Sequence, residues 1–158
     1  MITEAGNDAK VSALVYIAAF APDAGESAAQ LEQSVPPATK AIKATNDGYF
    51  FVDPALFAAD FAADVPAHKA KFMAESQVLI SADSFTSPIK SAAWKAKPSW
   101  YMVAAADRMI NPDLERKMAK RANATVVEVK ASHSAYVSRP KETAKLIEEA
   151  ARSVAANQ

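Results

Sequence analysis

Residues 125–140 read TVVEVKASHSAYVSRP, and the junction inside this stretch decides the fold. Thr125, Val126, Val127 and Val129 make residues 125–129 a β-branched run of strand length. Pro140 suits the first turn of a helix, which the pattern predicts over 141–154. His133 therefore falls on a loop at the C-terminal end of a strand. Ligands of open α/β sheets gather outside those ends, and imidazole is the side chain that exchanges protons near neutral pH. A solvated loop histidine is the plain alternative, so the reading of His133 turns on what else reaches the same end of the sheet.

Two earlier runs extend the pattern. Residues 12–20, SALVYIAAF, are almost continuously apolar, as expected of a parallel strand buried on both faces. Residues 99–105, SWYMVAA, follow Pro98 and stop at Ala106-Asp107. Between this run and 125–129, Asn111 can cap a helix that takes Pro112 at its first position and runs to about Arg121, with Asn123 as a left-handed stop. Strand, helix, strand, helix is the order of βαβ units with right-handed crossovers. The expected class is α/β, with about three parallel strands, flanking helices and a helical insertion.

That insertion lies between Pro22 and Pro98. Pro36, Pro37, Pro54, Pro66 and Pro88 punctuate it, leaving short helical pieces near 55–63 and 68–75. A crossover needs only about a dozen residues, so the segment reads as a lid over one end of the sheet. The expected division is residues 1–21 and 95–158 as core, and 22–94 as lid. Tyr49, Phe50, Phe51, Phe57, Phe61 and Phe72 would pack the lid as a small subdomain.

Composition narrows the function classes. The chain has 158 residues, 18 basic and 18 acidic side chains, no cysteine and 51% hydrophobic residues, enough for one domain with a core. Zero net charge argues against a nucleic-acid-binding domain. The nearest basic cluster, Lys117, Lys120 and Arg121, suits a helix C-terminus and a solvated face. Without cysteine there is no disulfide, thiolate nucleophile or cysteine-bound metal. His68 and His133 lack the spacing of a zinc site, so no metal is expected, and His68 is assigned to a lid helix. The opening residues carry no basic or long apolar leader, and no run approaches the roughly 20 apolar residues of a membrane span. A soluble, cytoplasmic protein without a membrane partner is expected.

Asp107 follows the 99–105 strand as His133 follows the 125–129 strand, so both leave neighbouring parallel strands at one end. A carboxylate bonded to the far nitrogen of a histidine fixes its tautomer and stabilises the imidazolium formed on protonation. Asp107 and His133 are thus the candidate catalytic pair.

Residues 97–140, KPSWYMVAAADRMINPDLERKMAKRANATVVEVKASHSAYVSRP, together with ALVYIAAFAPDAGES at 13–27, resemble the C-terminal half of an α/β-hydrolase of the compact lidded kind that includes small esterases and hydroxynitrile lyases. The resemblance implies that Asp107 is the triad acid and His133 the triad base, that a small carboxylic ester is the substrate, and that no cofactor is needed. Its chain order of nucleophile, acid and histidine is kept for the last two members. The G-x-S-x-G nucleophile turn has no counterpart, because Gly6, Gly25 and Gly48 form no such motif. Ser27, in GESAA, lies several residues past its strand and is rejected as a nucleophile. Residues 1–6 resemble the tail of the helix after the nucleophile turn, so the chain reads as a fragment that is inactive alone. A hydroxynitrile lyase and a non-catalytic module holding an apolar ligand are the alternatives. One side of Leu14-Val15-Tyr16-Ile17 would lack its neighbouring strand, so self-association through that edge is expected.

Overall fold

A computed structural model describes residues 2–156, so the Met1 of the expected first helix lies outside the described residues. In chain order the elements are α1 (Ile2–Ala5), β1 (Leu14–Ile17), α2 (Ala28–Ser34), β2 (Ile42–Ala44), β3 (Tyr49–Val52), α3 (Pro54–Asp60), α4 (Ala67–Glu75), β4 (Ile80–Ser81) and α5 (Ala82–Thr86). A single 3-10 turn at Ala93–Lys95 leads to β5 (Ser99–Ala104), α6 (Pro112–Arg121), β6 (Thr125–Val129), α7 (Ala135–Ser138) and α8 (Pro140–Ala155).

The three apolar runs pair as one parallel sheet in the order β1-β5-β6. Leu14 stands opposite Ser99 and Ile17 opposite Met102, while Trp100 to Ala104 run beside Thr125 to Val129. Every residue of the central strand β5 is buried. Side chains that alternate along a strand serve opposite faces. Leu14, Tyr16, Tyr101 and Val103 pack with Leu114, Met118 and Ala119 of α6. Trp100, Met102 and Ala104 pack with Leu146 and Ala150 of α8. Helices on both faces account for the lack of a polar side along β5. Burying side chains such as Met102, Leu114 and Met118 completely contributes about 1.5–3 kcal/mol each.

Helix limits follow the local chemistry. The Asn111 side chain accepts from the Asp113 N–H at 3.0 Å, Pro112 opens α6, and Asn123 has φ +48° beyond its end, as the sequence predicts. The helix expected over 141–154 occupies Pro140–Ala155. The first strand is shorter than the 12–20 expected. Ala18 turns left-handed at φ +43°, so the chain leaves the sheet there although its N–H still donates to the Met102 carbonyl at 3.0 Å.

The segment from Pro22 to Pro98 differs from the expected string of helical pieces. Helices are present, the pieces near 55–63 and 68–75 forming α3 and α4, but β2, β3 and β4 also make a second, antiparallel sheet in that order. Tyr49-Phe50-Phe51 belong to its middle strand β3. Gly48, at φ +87°, closes the hairpin that joins β2 to β3, a backbone angle that glycine adopts at little cost. Arg121 is a second correction. Lys117 and Lys120 are exposed, but Arg121 is half-buried, 2.7 Å from Glu26 and donating to the Ala21 carbonyl at 2.9 Å, so it ties α6 to the chain leaving β1.

Candidate active site

Asp107 and His133 meet. β5 ends at Ala104, and a tight turn, closed by the Asp107 N–H donating to the Ala104 carbonyl at 3.0 Å, carries Asp107 into the protein. Its Oδ1 accepts the backbone N–H groups of Met109 at 2.6 Å and Ile110 at 3.0 Å. Its side chain is fully buried. Oδ2, the oxygen left over, lies 2.7 Å from Nδ1 of His133. A carboxylate only accepts, so in this contact the proton lies on Nδ1.

The histidine loop starts where β6 ends. Ser132 and Ser134, on either side of His133, are buried, and the His133 side chain is 20% exposed. Phe61 meets its ring edge to face, with centroids 4.7 Å apart. His133 lines a cavity of about 830 Å³ whose walls include Ile17, Phe20, Phe50, Phe85 and Met109. Phe85 bridges two parts of that wall, with ring centroids 5.9 Å from both Phe20 and Phe50. A volume of this size with a mainly apolar lining is typical of small-molecule sites. Glu32 also reaches it, and burial raises its carboxyl above the ordinary value.

Behind the pair lies a residue that the sequence reading did not single out. Glu115 is fully buried on α6, and its Oε2 accepts the Ala104 N–H at 2.9 Å. Burial, followed by a hydrogen bond with Asp107 and the charge of Asp107, pushes its carboxyl up to about 10. As a carboxylate, its Oε1 would be buried with no donor. As the neutral acid it can donate its O–H toward Asp107, the neighbour that with burial raises it. The signal was present in the sequence. Leu114, Met118 and Ala119 form the buried stripe of α6, and Glu115 is the charged residue inside it.

Ser27 is buried but serves α2. Its Oγ accepts from the Gln30 N–H at 3.2 Å while the Gln30 side chain accepts from the Ser27 N–H at 2.8 Å, a reciprocal capping box. His68 lies on α4 and is exposed. Among the described residues no group of three or more His, Asp or Glu side chains is arranged to hold a metal ion, and no helix is long and apolar enough to cross a membrane.

The same arrangement of strands and helices is found in solved structures. A pyrethroid hydrolase from Sphingobium faniae superposes with a TM-score of 0.71 at 21% identity, over 94% of this chain and 63% of its own. Polyneuridine aldehyde esterase gives 0.72 at 15% identity, over 92% of this chain and 64% of its own. A methylesterase from Arabidopsis gives 0.69 at 16% identity, over 94% and 62%. At these identities the likeness is one of fold, and the chain spans less than two thirds of each of these proteins. Comparison with curated protein sequences gives no match. A family model described as the alpha/beta hydrolase family matches residues 1–146, so the chain belongs to the α/β-hydrolase family.

Proposed function

We propose that this chain supplies the base and the acid of a serine hydrolase acting on apolar carboxylic esters, with residues 22–94 as the cap over the substrate. The observation that carries this reading is the 2.7 Å contact between His133 Nδ1 and Asp107 Oδ2 at the wall of a largely apolar cavity. In the reaction, His133 Nε2 takes the proton of a serine hydroxyl as its oxygen attacks the ester carbonyl. It returns that proton to the departing alkoxide, and a second cycle with water frees the acid. Asp107 holds the ring and balances the imidazolium charge. The sequence has no G-x-S-x-G, so in this reaction the serine and the oxyanion donors would come from other polypeptide. The solved structures that share the fold are named a pyrethroid hydrolase, an esterase and a methylesterase, which favours esters as the substrate class.

The test is p-nitrophenyl butyrate hydrolysis by this chain joined to a nucleophile-bearing segment encoded in frame ahead of it. Turnover should fall by about 10⁴-fold or more on His133→Ala, whereas the 158-residue chain alone should not exceed its own His133→Ala control. Undiminished turnover by the joined His133→Ala variant would refute the assignment. The size and apolar lining of the cavity, with the absent nucleophile motif, favour one second reading, a module that only binds an apolar ligand. That reading requires an upstream sequence with no G-x-S-x-G and binding of an apolar fluorophore that His133→Ala leaves unchanged.

A further inference from the structure

We propose that residues 60–64, at the end of α3 and in the turn after it, are a positioning element for the Asp107–His133 pair. The inference rests on the catalytic reading of that pair. Asp60 and Asp64 each hold the sequence neighbour of one member. The Arg108 Nε, next to Asp107, donates to Asp60 Oδ1 at 2.7 Å, and Arg108 Nη2 donates to the Ala38 carbonyl at 3.0 Å. Ser132, next to His133, donates to Asp64 Oδ1 both from its N–H, at 3.2 Å, and from its Oγ, at 2.5 Å. Between the two acids, the Phe61 carbonyl accepts from the Ser134 N–H and from the Ser134 Oγ, each at 3.1 Å. The Phe61 ring meets the imidazole itself.

His133 is thus gripped on both sides and on its ring by one short segment. The N–H groups of Ser132 and Ser134 both find their acceptors in residues 61–64, outside the parallel sheet. Arg139 adds a longer contact, 3.7 Å to Asp64 Oδ2. Asp60 is itself fixed by Thr39, whose Oγ donates to Oδ2 at 2.5 Å. The Thr39 bond, ahead of the Arg108 guanidinium, keeps the Asp60 carboxyl below its ordinary value. For Asp64, burial raises the carboxyl, but the hydrogen bonds led by Ser132 outweigh it and the net shift is downward. Both acids therefore stay charged acceptors at neutral pH. A catalytic pair must be held within a fraction of an ångström by groups that are themselves fixed, and here the holding segment also contributes Phe61 to the cavity wall. Displacing that segment would loosen the pair.

The test reads the pair directly and needs no turnover. The chain has two histidines, His68 and His133, so a nitrogen-15 histidine ring spectrum contains two spin systems, with the exposed His68 as the internal control. In Asp60→Ala/Asp64→Ala, exchange of the His133 Nδ1 proton with water should quicken about tenfold or more, the scale of losing one hydrogen bond to a charged group. The amide spectrum should stay dispersed and the His68 signals should not move. Asp64→Asn, which keeps an acceptor for Ser132, should restore most of the slow exchange. A double variant with a lower unfolding midpoint but an unchanged Nδ1 exchange rate would reduce the segment to a structural tie and overturn the proposal. Should the double variant fail to fold, Ser132→Ala decides the same question by removing one hydroxyl: faster exchange supports the proposal, and an unchanged rate overturns it. Failure of the catalytic reading would appear in the ester assay and leave this readout intact.

Discussion

Oδ2 of Asp107 lies 2.7 Å from Nδ1 of His133 because Oδ1 of the same carboxylate is taken by the N–H groups of Met109 and Ile110. The two oxygens therefore have fixed and different tasks. In Asp107→Asn the amide oxygen must stay on the two backbone donors, since an NH₂ group placed there would face N–H against N–H. The NH₂ then points at Nδ1, which must become an acceptor, and the proton moves to Nε2. Nitrogen-15 chemical shifts of the His133 ring should report this exchange of tautomers, with the amide spectrum otherwise preserved. A variant that retains the Nδ1–H tautomer would show that the carboxylate does not set the proton's position.

Glu115 predicts a slope of stability against pH. Its carboxyl has an ordinary value of 4.5 and is raised to about 10 in the folded chain. Between these limits the folded state binds a proton that the unfolded state has released. The stabilisation is fully present below 4.5, declines as pH rises, and is gone above about 10, at no more than about 1.4 kcal/mol per pH unit. Glu115→Gln keeps an acceptor for the Ala104 N–H and a donor for Asp107 but cannot ionise. Urea unfolding at a series of pH values should give a shallower decline for the variant, whose advantage over the wild type grows from pH 5 to pH 9. Parallel curves would mean that Glu115 is not the buried proton carrier.

The sequence reading of the site and its limits trace to one physical difference. The parallel core was legible because β5 and α6 carry strong local signals: a run that is apolar after Ser99, then Asn111-Pro112 to start the helix and Asn123 to end it. Asp107 and His133 were legible because each lies in the short loop that follows a strand of the parallel sheet. The second sheet was missed because its strands are two to four residues long, too short for a period to register, although Asn46-Asp47-Gly48 is a hairpin signal. Asp60 and Asp64 could not be found from sequence at all. Each is an ordinary acid near a helix end until the fold brings it against a residue 48 or 68 positions away. Asp107 and His133 are identified by local context, but the segment that holds them is identified only by long-range contact.

The edge of the parallel sheet gives the last expectation. β1 pairs with β5 on one side, and no described strand pairs with its other side. Residues 13–20 contain no charge and no proline, the devices with which natural sheets protect an open edge. A short, β-prone, uncharged window of this kind recruits another strand. We propose that the chain expressed alone associates through Leu14–Ile17, and that Val15→Lys, which sets a charge on this half-buried strand, increases the monomer fraction. Size-exclusion chromatography with light scattering across a concentration series would measure the association, and hydrogen exchange at residues 13–20 would locate it. The expected pattern is an oligomer at higher concentration whose dissociation speeds exchange in this strand. A monomer at all concentrations with the same amides strongly protected would show that the edge is satisfied within the chain, and the association would have to be abandoned.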